Sequence, residues 1–379
     1  MRAVVSVDFG NIDKNIQMDL SRPMPPEPKE GEMLIKVLAC ALAPGDVRLF
    51  EGFGRYMQMP EGGHPYVIGS DVSGVVVKVA EEETKFHIND YVVCRFDEPK
   101  PNGGVAEYRL VKTWLSEKCP ASIDPVVACG LPASAMAAKR VTHLYVKPGN
   151  RVLILGGSGG VGSSMIQYAK EKGASFVAAV STQEDLCRGL GADQVVDYRT
   201  HKWWDVEEFQ ETPFDVILDM VNGDSWPVGI LQASRNDKLT IRKDGRYACL
   251  MTGVETEIDV HGSWAAFKLI LSILRRMIGA KLNSNVPNWE VPEALKLEEG
   301  DLAELFLDVT SGKLKPVIDP ASPFEFDEQD VRKAMHLQKS KHAHGKVVIK
   351  IADKLLAYSC AESNEIPGFF PSVTEESNC

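Results

Sequence analysis

The clearest indication of the fold class is the segment Arg151-Val-Leu-Ile-Leu-Gly-Gly-Ser-Gly-Gly-Val-Gly162. It runs from a short apolar stretch directly into a glycine-rich turn. Apolar residues then recur at helical spacing from Val161 to Ala169, and Gly173 follows where a helix can end. A strand, a glycine turn and an amphipathic helix in this order indicate the first unit of a parallel α/β sheet.

The motif Gly157-x-Gly159-x-x-Gly162 gives each of its glycines a physical role. Gly157 permits a tight turn, Gly159 lets the backbone approach a pyrophosphate, and Gly162 lets the helix pack close to the strand. Backbone N–H groups at the helix start, together with the positive end of its dipole, can then hold a diphosphate. A tight turn without a ligand is the alternative. The predicted dinucleotide site comprises Gly157, Ser158, Gly159, Gly160, Val161 and Gly162.

The end of the second apolar strand discriminates between NADPH and NADH. Sites for NAD usually carry an Asp or Glu there, which binds the ribose 2′-hydroxyl. Here the strand ends Ala179-Val180-Ser181-Thr182-Gln183, without an acid. The hydroxyls of Ser181 and Thr182 can donate to a 2′-phosphate, so we expect NADPH as the cofactor. Arg188 and Arg199 are candidate cationic partners, and the alternative is that both are solvated surface residues.

The chain has three regions that differ in the secondary structure their sequence predicts. Residues 1–125 contain short β-type runs separated by Pro and Gly clusters, whereas residues 126–315 alternate apolar strands with helical stretches. β-type runs return at 315–318 and 346–351. We predict an α/β protein with a Rossmann-type, doubly wound parallel sheet over 126–315. A β-rich domain is predicted to form from residues 1–125 and to be completed by residues 316–352.

The composition is that of an ordinary globular protein. Of 379 residues, 44% are hydrophobic and 25% charged, which excludes collagen, coiled coil and wholesale disorder. A net charge of −11 gives no overall attraction to nucleic acid or to an anionic membrane, and neither is expected as a partner. Residues 353–379 form an acidic tail that we expect to be disordered. The alternative is that Phe369-Phe370 docks on the body of the protein.

The eight cysteines are scattered without a C-x-x-C pair, so neither a thiolate zinc knuckle nor a thioredoxin-type redox pair is indicated. Residues 1–9 have the pattern of a β-strand rather than of a secretion signal or transit peptide. We therefore expect reduced thiols and a cytoplasmic location.

The arrangement over residues 1–352 resembles the medium-chain dehydrogenase/reductase superfamily, and most closely its zinc-independent quinone oxidoreductase and enone reductase branch. Besides the glycine turn, the motifs that carry the resemblance are Asp46-Val-Arg48, Pro65-Tyr-Val-Ile-Gly69-Ser-Asp71-Val-Ser-Gly74, Leu190-Gly-Ala-Asp193-Gln-Val-Val-Asp-Tyr198, Phe214-Asp-Val-Ile-Leu-Asp219, Gly312-Lys-Leu-Lys-Pro-Val-Ile-Asp319 and His344-Gly-Lys346. The resemblance implies that the β-rich domain is GroES-like. It also implies a homodimer that transfers hydride from NADPH to a small electrophile, either a quinone or an α,β-unsaturated carbonyl compound.

Further site residues are implied by the same resemblance. Asp46 is expected to orient the nicotinamide region, with a turn-forming Asp as the alternative. Tyr56 is expected to donate a hydrogen bond or proton to the substrate, with an aromatic lid residue as the alternative. Tyr198 is placed beside the adenosine, and the loop at Gly253 lines the cleft. Lys346 is expected to approach a cofactor phosphate, with an exposed strand lysine as the alternative.

Zinc enzymes of this superfamily bind their metal through Cys and His residues that are replaced here by Ala43 and by Ser70-Asp71. Ala and Ser cannot replace thiolate and imidazole ligands, so no catalytic metal is expected. The pair His342-x-His344 is interpreted as surface histidines rather than as metal ligands. Family members usually have Asn at the position of Ala43 and often Arg at that of His344, so two cofactor contacts are missing.

Without a Lewis acid, the implied chemistry suits acceptors that are already electrophilic. Two other functions stay open: a nicotinamide-binding protein with little turnover, used for interaction or sensing, and an enoyl-thioester reductase. The apolar segment 264–280 contains Lys268, Arg275 and Arg276, so it does not span a bilayer. We interpret it as a helix that covers the substrate pocket or contacts a second subunit, with a membrane-surface helix as the alternative.

Overall fold

Our computed structural model describes residues 1–52, 62–96, 103–221, 223–236, 238–250, 265–294 and 296–353. Tyr56, Gly253 and the segment 354–379, which contains Phe369-Phe370, lie outside the described residues. The roles expected for them therefore stay predictions.

The N-terminal part of the chain is built mainly of strands. Their bounds are β1 Ala3–Ser6, β2 Ile16–Asp19, β3 Glu32–Leu42, β4 Tyr66–Val67, β5 Val72–Val79, β6 Tyr91–Cys94, β7 Tyr108–Lys112 and β8 Ser116–Lys118. A small sheet has the order β2-β1-β4, with antiparallel pairing. The long strand β3 pairs with both β5 and β7, which makes it the centre of the larger sheet.

A six-stranded parallel sheet forms the second half of the molecule. Its strands are β9 Arg151–Leu155, β10 Phe176–Val180, β11 Gln194–Val196, β12 Phe214–Asp219, β13 Ile241–Cys249 and β14 Asn288–Glu290. Their order is β11-β10-β9-β12-β13-β14, and every neighbouring pair is parallel. This is the doubly wound order of a dinucleotide-binding sheet, so the predicted Rossmann-type fold is confirmed.

The last two strands return to the first half. β15 (Phe324–Glu325) pairs with β16 (Val347–Lys350), and β16 runs antiparallel to β3. The larger sheet thus has the order β15-β16-β3-β5-β6-β8, so late residues complete the N-terminal sheet as predicted. The strand predicted at 315–318 is wrong, because only a single bridge joins Ile318 to Lys346. Pro316 has no N–H group to donate to a ladder.

The helices connect and cover the two sheets. Their bounds are α1 Ile12–Asn15, α2 Pro44–Phe50, α3 Pro125–Cys129, α4 Leu131–Tyr145, α5 Gly162–Glu171, α6 Glu184–Gly189, α7 Glu207–Glu211, α8 Ala233–Arg235, α9 Ala265–Leu282, α10 Asp301–Thr310 and α11 Glu328–Ser340. A π-helical turn, Pro227–Gln232, leads into α8. α5 ends where expected, since Gly173 has a φ of +79° that favours glycine.

Alternate residues of β9 face two different apolar layers. Val152 and Ile154 contact the layer formed by α4 and α5, whereas Leu153 and Leu155 lie in an aromatic-rich layer on the other face. The first layer continues to Leu38 of β3, so the two halves of the molecule share a core. The C-terminal ends of β9 and β10 therefore meet the edge of the β-rich half, which is where a ligand between the halves would bind.

Candidate cofactor and active site

The glycine loop between β9 and α5 is shaped by close backbone contacts. A Cβ on Gly162 would lie 2.1 Å from the carbonyl oxygen of Gly156, and one on Gly157 would lie 2.7 Å from Cβ of Ala179. Both positions therefore exclude a side chain, and Gly162 allows the close helix packing that the motif predicts. The positive φ of +85° belongs to Gly156, so the turn is made one residue earlier than expected.

Gly159 and Gly160 are packed less closely than Gly157 and Gly162. The nearest protein atom to a Cβ on Gly159 would be 3.4 Å away, and for Gly160 it would be 3.3 Å away, at Ser134 Oγ. Among the described residues, the backbone N–H groups of Gly160, Val161 and Gly162 donate to no protein acceptor. Undonated N–H groups at the start of α5 fit a diphosphate group.

His344 lies between the end of β10 and this loop and contacts both. Gln183 Nε2 lies 3.1 Å from Nε2 of His344, and Nδ1 of the same ring lies 3.4 Å from Ser158 Oγ. Ser181 is buried, and its Oγ accepts a hydrogen bond from the N–H of Gln183, while Thr182 is half-buried. His344 therefore lies at the predicted cofactor site, although the sequence pattern favoured a surface histidine.

The two candidate arginines are occupied elsewhere. Arg188 Nε lies 2.8 Å from a carboxylate oxygen of Glu184, and Arg199 pairs with Asp197 at 2.6 Å. Both arginines lie on the surface, where such pairs contribute little to stability. Tyr198 is 42% exposed, so its ring is accessible to a ligand.

Lys346 is almost completely buried beside the glycine loop. The residue is 5% exposed, and its side-chain Cδ would lie 3.7 Å from a Cβ on Gly160. Within the described part of the chain its ammonium group has no ion-pair partner and no side-chain hydrogen bond. The carboxylate of Asp46 lies close enough for its charge to act on Lys346, and an anionic ligand beside Gly160 would add a second negative charge near this lysine.

Asp46 lies near the start of α2 and is held from two sides. Its Oδ2 accepts hydrogen bonds from the hydroxyl of Ser70 at 2.6 Å and from the N–H of Ala43 at 2.7 Å. Burial raises the pKa of Asp46, and these hydrogen bonds and the charge of Lys346 offset the rise only in part. Its other carboxylate oxygen has no protein partner in the described ranges, so Asp46 both forms the turn and offers an acceptor.

The contacts of Asp71 are structural and are not those of a metal ligand. It is fully buried and accepts hydrogen bonds from the N–H groups of Phe96 and Ala133, which ties the β-rich half to α4. Nowhere in the described part of the chain do three or more Cys, His, Asp or Glu residues form a cluster that could hold a metal ion.

Comparison with known proteins identifies the family. The model of the alcohol dehydrogenase GroES-like domain matches residues 29–121, and that of the zinc-binding dehydrogenases matches residues 190–349. The chain is 32% identical to the chloroplastic NADPH-dependent alkenal/one oxidoreductase of Arabidopsis thaliana over 360 residues, which cover 92% of this chain and 79% of the relative. The chain belongs to the medium-chain dehydrogenase/reductase superfamily. The predicted GroES-like nature of the β-rich half is also confirmed.

Two further proteins define the branch of the medium-chain dehydrogenase/reductase superfamily. The 2-methylene-furan-3-one reductase of Solanum lycopersicum is 32% identical, again over 92% of this chain and 79% of the relative. The quinone oxidoreductase of Coxiella burnetii has the same fold, with a TM-score of 0.72 at 24% identity, over 93% of this chain and 99% of that structure. Membership of the quinone oxidoreductase and enone reductase branch is thereby confirmed.

Proposed function

We propose that this protein reduces α,β-unsaturated carbonyl compounds by hydride transfer from NADPH, with quinones as a second class of acceptor. The glycine loop beside the buried Lys346 carries the proposal, because it offers undonated N–H groups and a cation to a dinucleotide. The activities named for the two relatives, an alkenal/one oxidoreductase and a 2-methylene-furan-3-one reductase, support an enone acceptor.

Each group at the cofactor site has one task in this proposal. The N–H groups of Gly160 and Val161 bind the diphosphate, and Lys346 neutralises part of its charge. Ser181 and Thr182 donate hydrogen bonds to the 2′-phosphate, and Tyr198 lies against the adenosine. When bound, NADPH supplies the hydride. The protein's own contribution is to position the two reactants and exclude competing water.

The acceptor is expected to bind where Asp46 faces the cleft between the two halves. Ser70 and the backbone of Ala43 fix the orientation of this carboxylate, so its unoccupied oxygen can accept a hydrogen bond from the nicotinamide carboxamide. The positions that bind zinc in other members hold Ala43 and Ser70, which are not metal ligands, so we propose a zinc-free reaction. We propose that Tyr56 donates a hydrogen bond or proton to the substrate and that the loop at Gly253 lines the cleft.

We propose a homodimer, as the family resemblance implies, which light scattering of the purified protein can test. We also propose a cytoplasmic location. The Arabidopsis relative, in contrast, is named as a chloroplastic protein. Neither the sensing function nor the enoyl-thioester reductase is favoured by an observation on the described residues.

The deciding experiment measures NADPH and NADH oxidation with a short enal and with a simple benzoquinone, each with and without a metal chelator. Chelator-resistant turnover that prefers NADPH is expected. Cofactor binding without oxidation would contradict the reductase, and loss of turnover with the chelator would contradict the zinc-free reaction.

The cofactor site has its own test in Gly160→Val. The new side chain would fill the space between the loop and Ser134, and the loss of one or two hydrogen bonds to a charged group predicts about 100-fold weaker NADPH binding. Gly189→Val, which meets no atom within 4 Å, is the matched control and should bind normally. Far-UV circular dichroism should stay native for both, and unchanged NADPH affinity in Gly160→Val would refute the site.

A further inference from the structure

Helix α9 (Ala265–Leu282) has apolar residues on two of its faces. Ile273, Met277 and Ala280 pack inward against the aromatic-rich layer that contains Trp289. The guanidinium group of Arg276 lies 5.9 Å from the centre of the Trp289 ring, which holds the same side of the helix on the sheet. The aromatic-rich layer of the core thus covers the inward face of α9.

The outward face of α9 carries an apolar surface. Its members are Phe267 (58% exposed), Ile270 (57%), Leu271 (53%), Leu274 (46%), Ile278 (54%) and Leu282 (82%). At 100° per residue, all of them fall within about 60° of one direction, so they form one continuous stripe along the helix. The other exposed large apolar residues of the described chain are scattered over separate elements. A contiguous apolar patch of this kind marks an interaction surface.

Basic residues border this stripe. Lys268, Arg275 and Lys281 are exposed, and none of them has an ion-pair partner within the described part of the chain. The helix contains no Asp or Glu at all between residues 265 and 282, in a chain whose net charge is −11. Positive charge is therefore concentrated on the one helix that also exposes its apolar residues.

The charge distribution decides between two possible occupants. A second copy of this chain, related by a two-fold axis through the stripe, would bring the same basic residues of both copies together. An anionic lipid surface would instead pair with them, while the stripe entered the boundary between headgroups and acyl chains. No helix in the described ranges is long and apolar enough to cross a membrane.

We propose that α9 is an interfacial helix that docks this protein on the surface of an anionic lipid membrane. The proposal departs from the expectation drawn from the overall charge, because charges act over only about 8 Å at physiological salt. What counts is the local charge of α9 rather than the −11 of the whole chain. The proposal does not depend on the reductase function.

The test is sedimentation of the full-length protein with vesicles of phosphatidylcholine, either alone or mixed with phosphatidylglycerol. The wild type should bind the mixed vesicles more tightly, and added salt should weaken the binding. The triple variant Leu271→Ser/Leu274→Ser/Ile278→Ser should bind at least about tenfold more weakly to both. The charge variant Lys268→Gln/Arg275→Gln/Lys281→Gln should lose the preference for anionic lipid, by roughly fivefold per residue.

A control variant of the same composition is available elsewhere on the surface. Ile88→Ser/Leu144→Ser/Leu307→Ser removes one exposed Ile from a turn and two exposed Leu residues from α4 and α10, and it should bind like the wild type. Circular dichroism and NADPH binding in solution should be unchanged in all three variants, which separates lipid docking from the cofactor site at the glycine loop. Absence of wild-type binding, or normal binding by the α9 triple variant, would overturn the proposal. So would light scattering in which the α9 triple variant alone falls to a smaller oligomer, since a second copy would then be the occupant.

Discussion

Helices α5 and α9 belong to the same dinucleotide-binding half, and both have apolar residues at helical spacing. In α5 the apolar face is enclosed, with Met165, Ile166 and Tyr168 at most 1% exposed. Among the α9 side chains that the structure describes, most of the apolar ones are exposed, with Leu271 at 53%. The difference shows that hydrophobic spacing predicts a helix with an apolar face but does not show what that face contacts.

The cause of the difference lies in the neighbours of each helix. α5 follows β9, the central strand of the parallel sheet, and is packed between the sheet and α4. α9 contacts β14, the last strand of the described sheet, and the side of α9 away from the sheet is exposed among the described residues. A helix beside an edge strand keeps its second apolar face only if something else covers it.

Truncating one side chain in each helix tests the contrast between α5 and α9, and in α5 it should produce the largest change in the free energy of unfolding. Met165→Ala leaves a cavity in a fully buried site and should lower the free energy of unfolding by about 2–5 kcal/mol. Leu271→Ala removes an exposed side chain and should change it by no more than about 0.5 kcal/mol. Urea denaturation measures both. A cost above about 2 kcal/mol for Leu271→Ala would mean that the outward face of α9 is covered in the free protein.

A smaller effect concerns the way α5 is fixed to α10. The hydroxyl of Tyr168 donates to Asp308 at 2.9 Å, and the ammonium group of Lys139 lies 3.0 Å from the same oxygen. Burial raises the pKa of Asp308, but the hydrogen bonds from Lys139 and Tyr168 outweigh it and leave the pKa below the ordinary value. Because the pKa is lowered in the folded state, the ionised carboxylate stabilises the protein above the unfolded value near ~3.9, and this contribution is lost as the pH falls.

Asp308→Asn should therefore lower the free energy of unfolding at neutral pH by about 1–3 kcal/mol, and the deficit should shrink on acidification to below pH ~3.9. Unfolding curves across the acidic range measure this. Asp205→Asn, at an exposed carboxylate without an ion-pair partner among the described residues, is the matched control. A deficit that stays the same at every pH would show that Asp308 acts through packing rather than charge.

Local patterns predicted the parts of the molecule that local contacts determine. The glycine loop is the clearest case, since Gly162 and Gly157 are required by backbone and strand atoms of the same unit. The parallel sheet followed from the alternation of apolar strands and helices. The failure at residues 315–318 has a local cause as well, because Pro316 cannot donate to a ladder.

Contacts between distant segments could not be predicted in the same way. His344 lies beside Ser158 across 186 residues of sequence, and Lys346 faces Gly160 because β16 pairs with β3. The family resemblance suggested a phosphate role for Lys346 and aligned position 344 with a cofactor contact of the family, but the pattern around His344 alone favoured a surface histidine. The outward direction of α9 likewise depends on its position beside an edge strand.

The smallest expected effect concerns the exposed glycine inside α9. A Cβ on Gly279 would meet no atom within 4 Å, and its φ is not positive, so an alanine fits without strain. Alanine also restricts the unfolded chain and favours helix, so Gly279→Ala should raise the free energy of unfolding by about 0.4–1 kcal/mol. The same substitution at Gly173 of the α5 terminus, where φ is +79°, should destabilise the protein. If Gly279→Ala instead lowered stability, the helix would be packed against another surface in the free protein, and the contrast between α5 and α9 would fail.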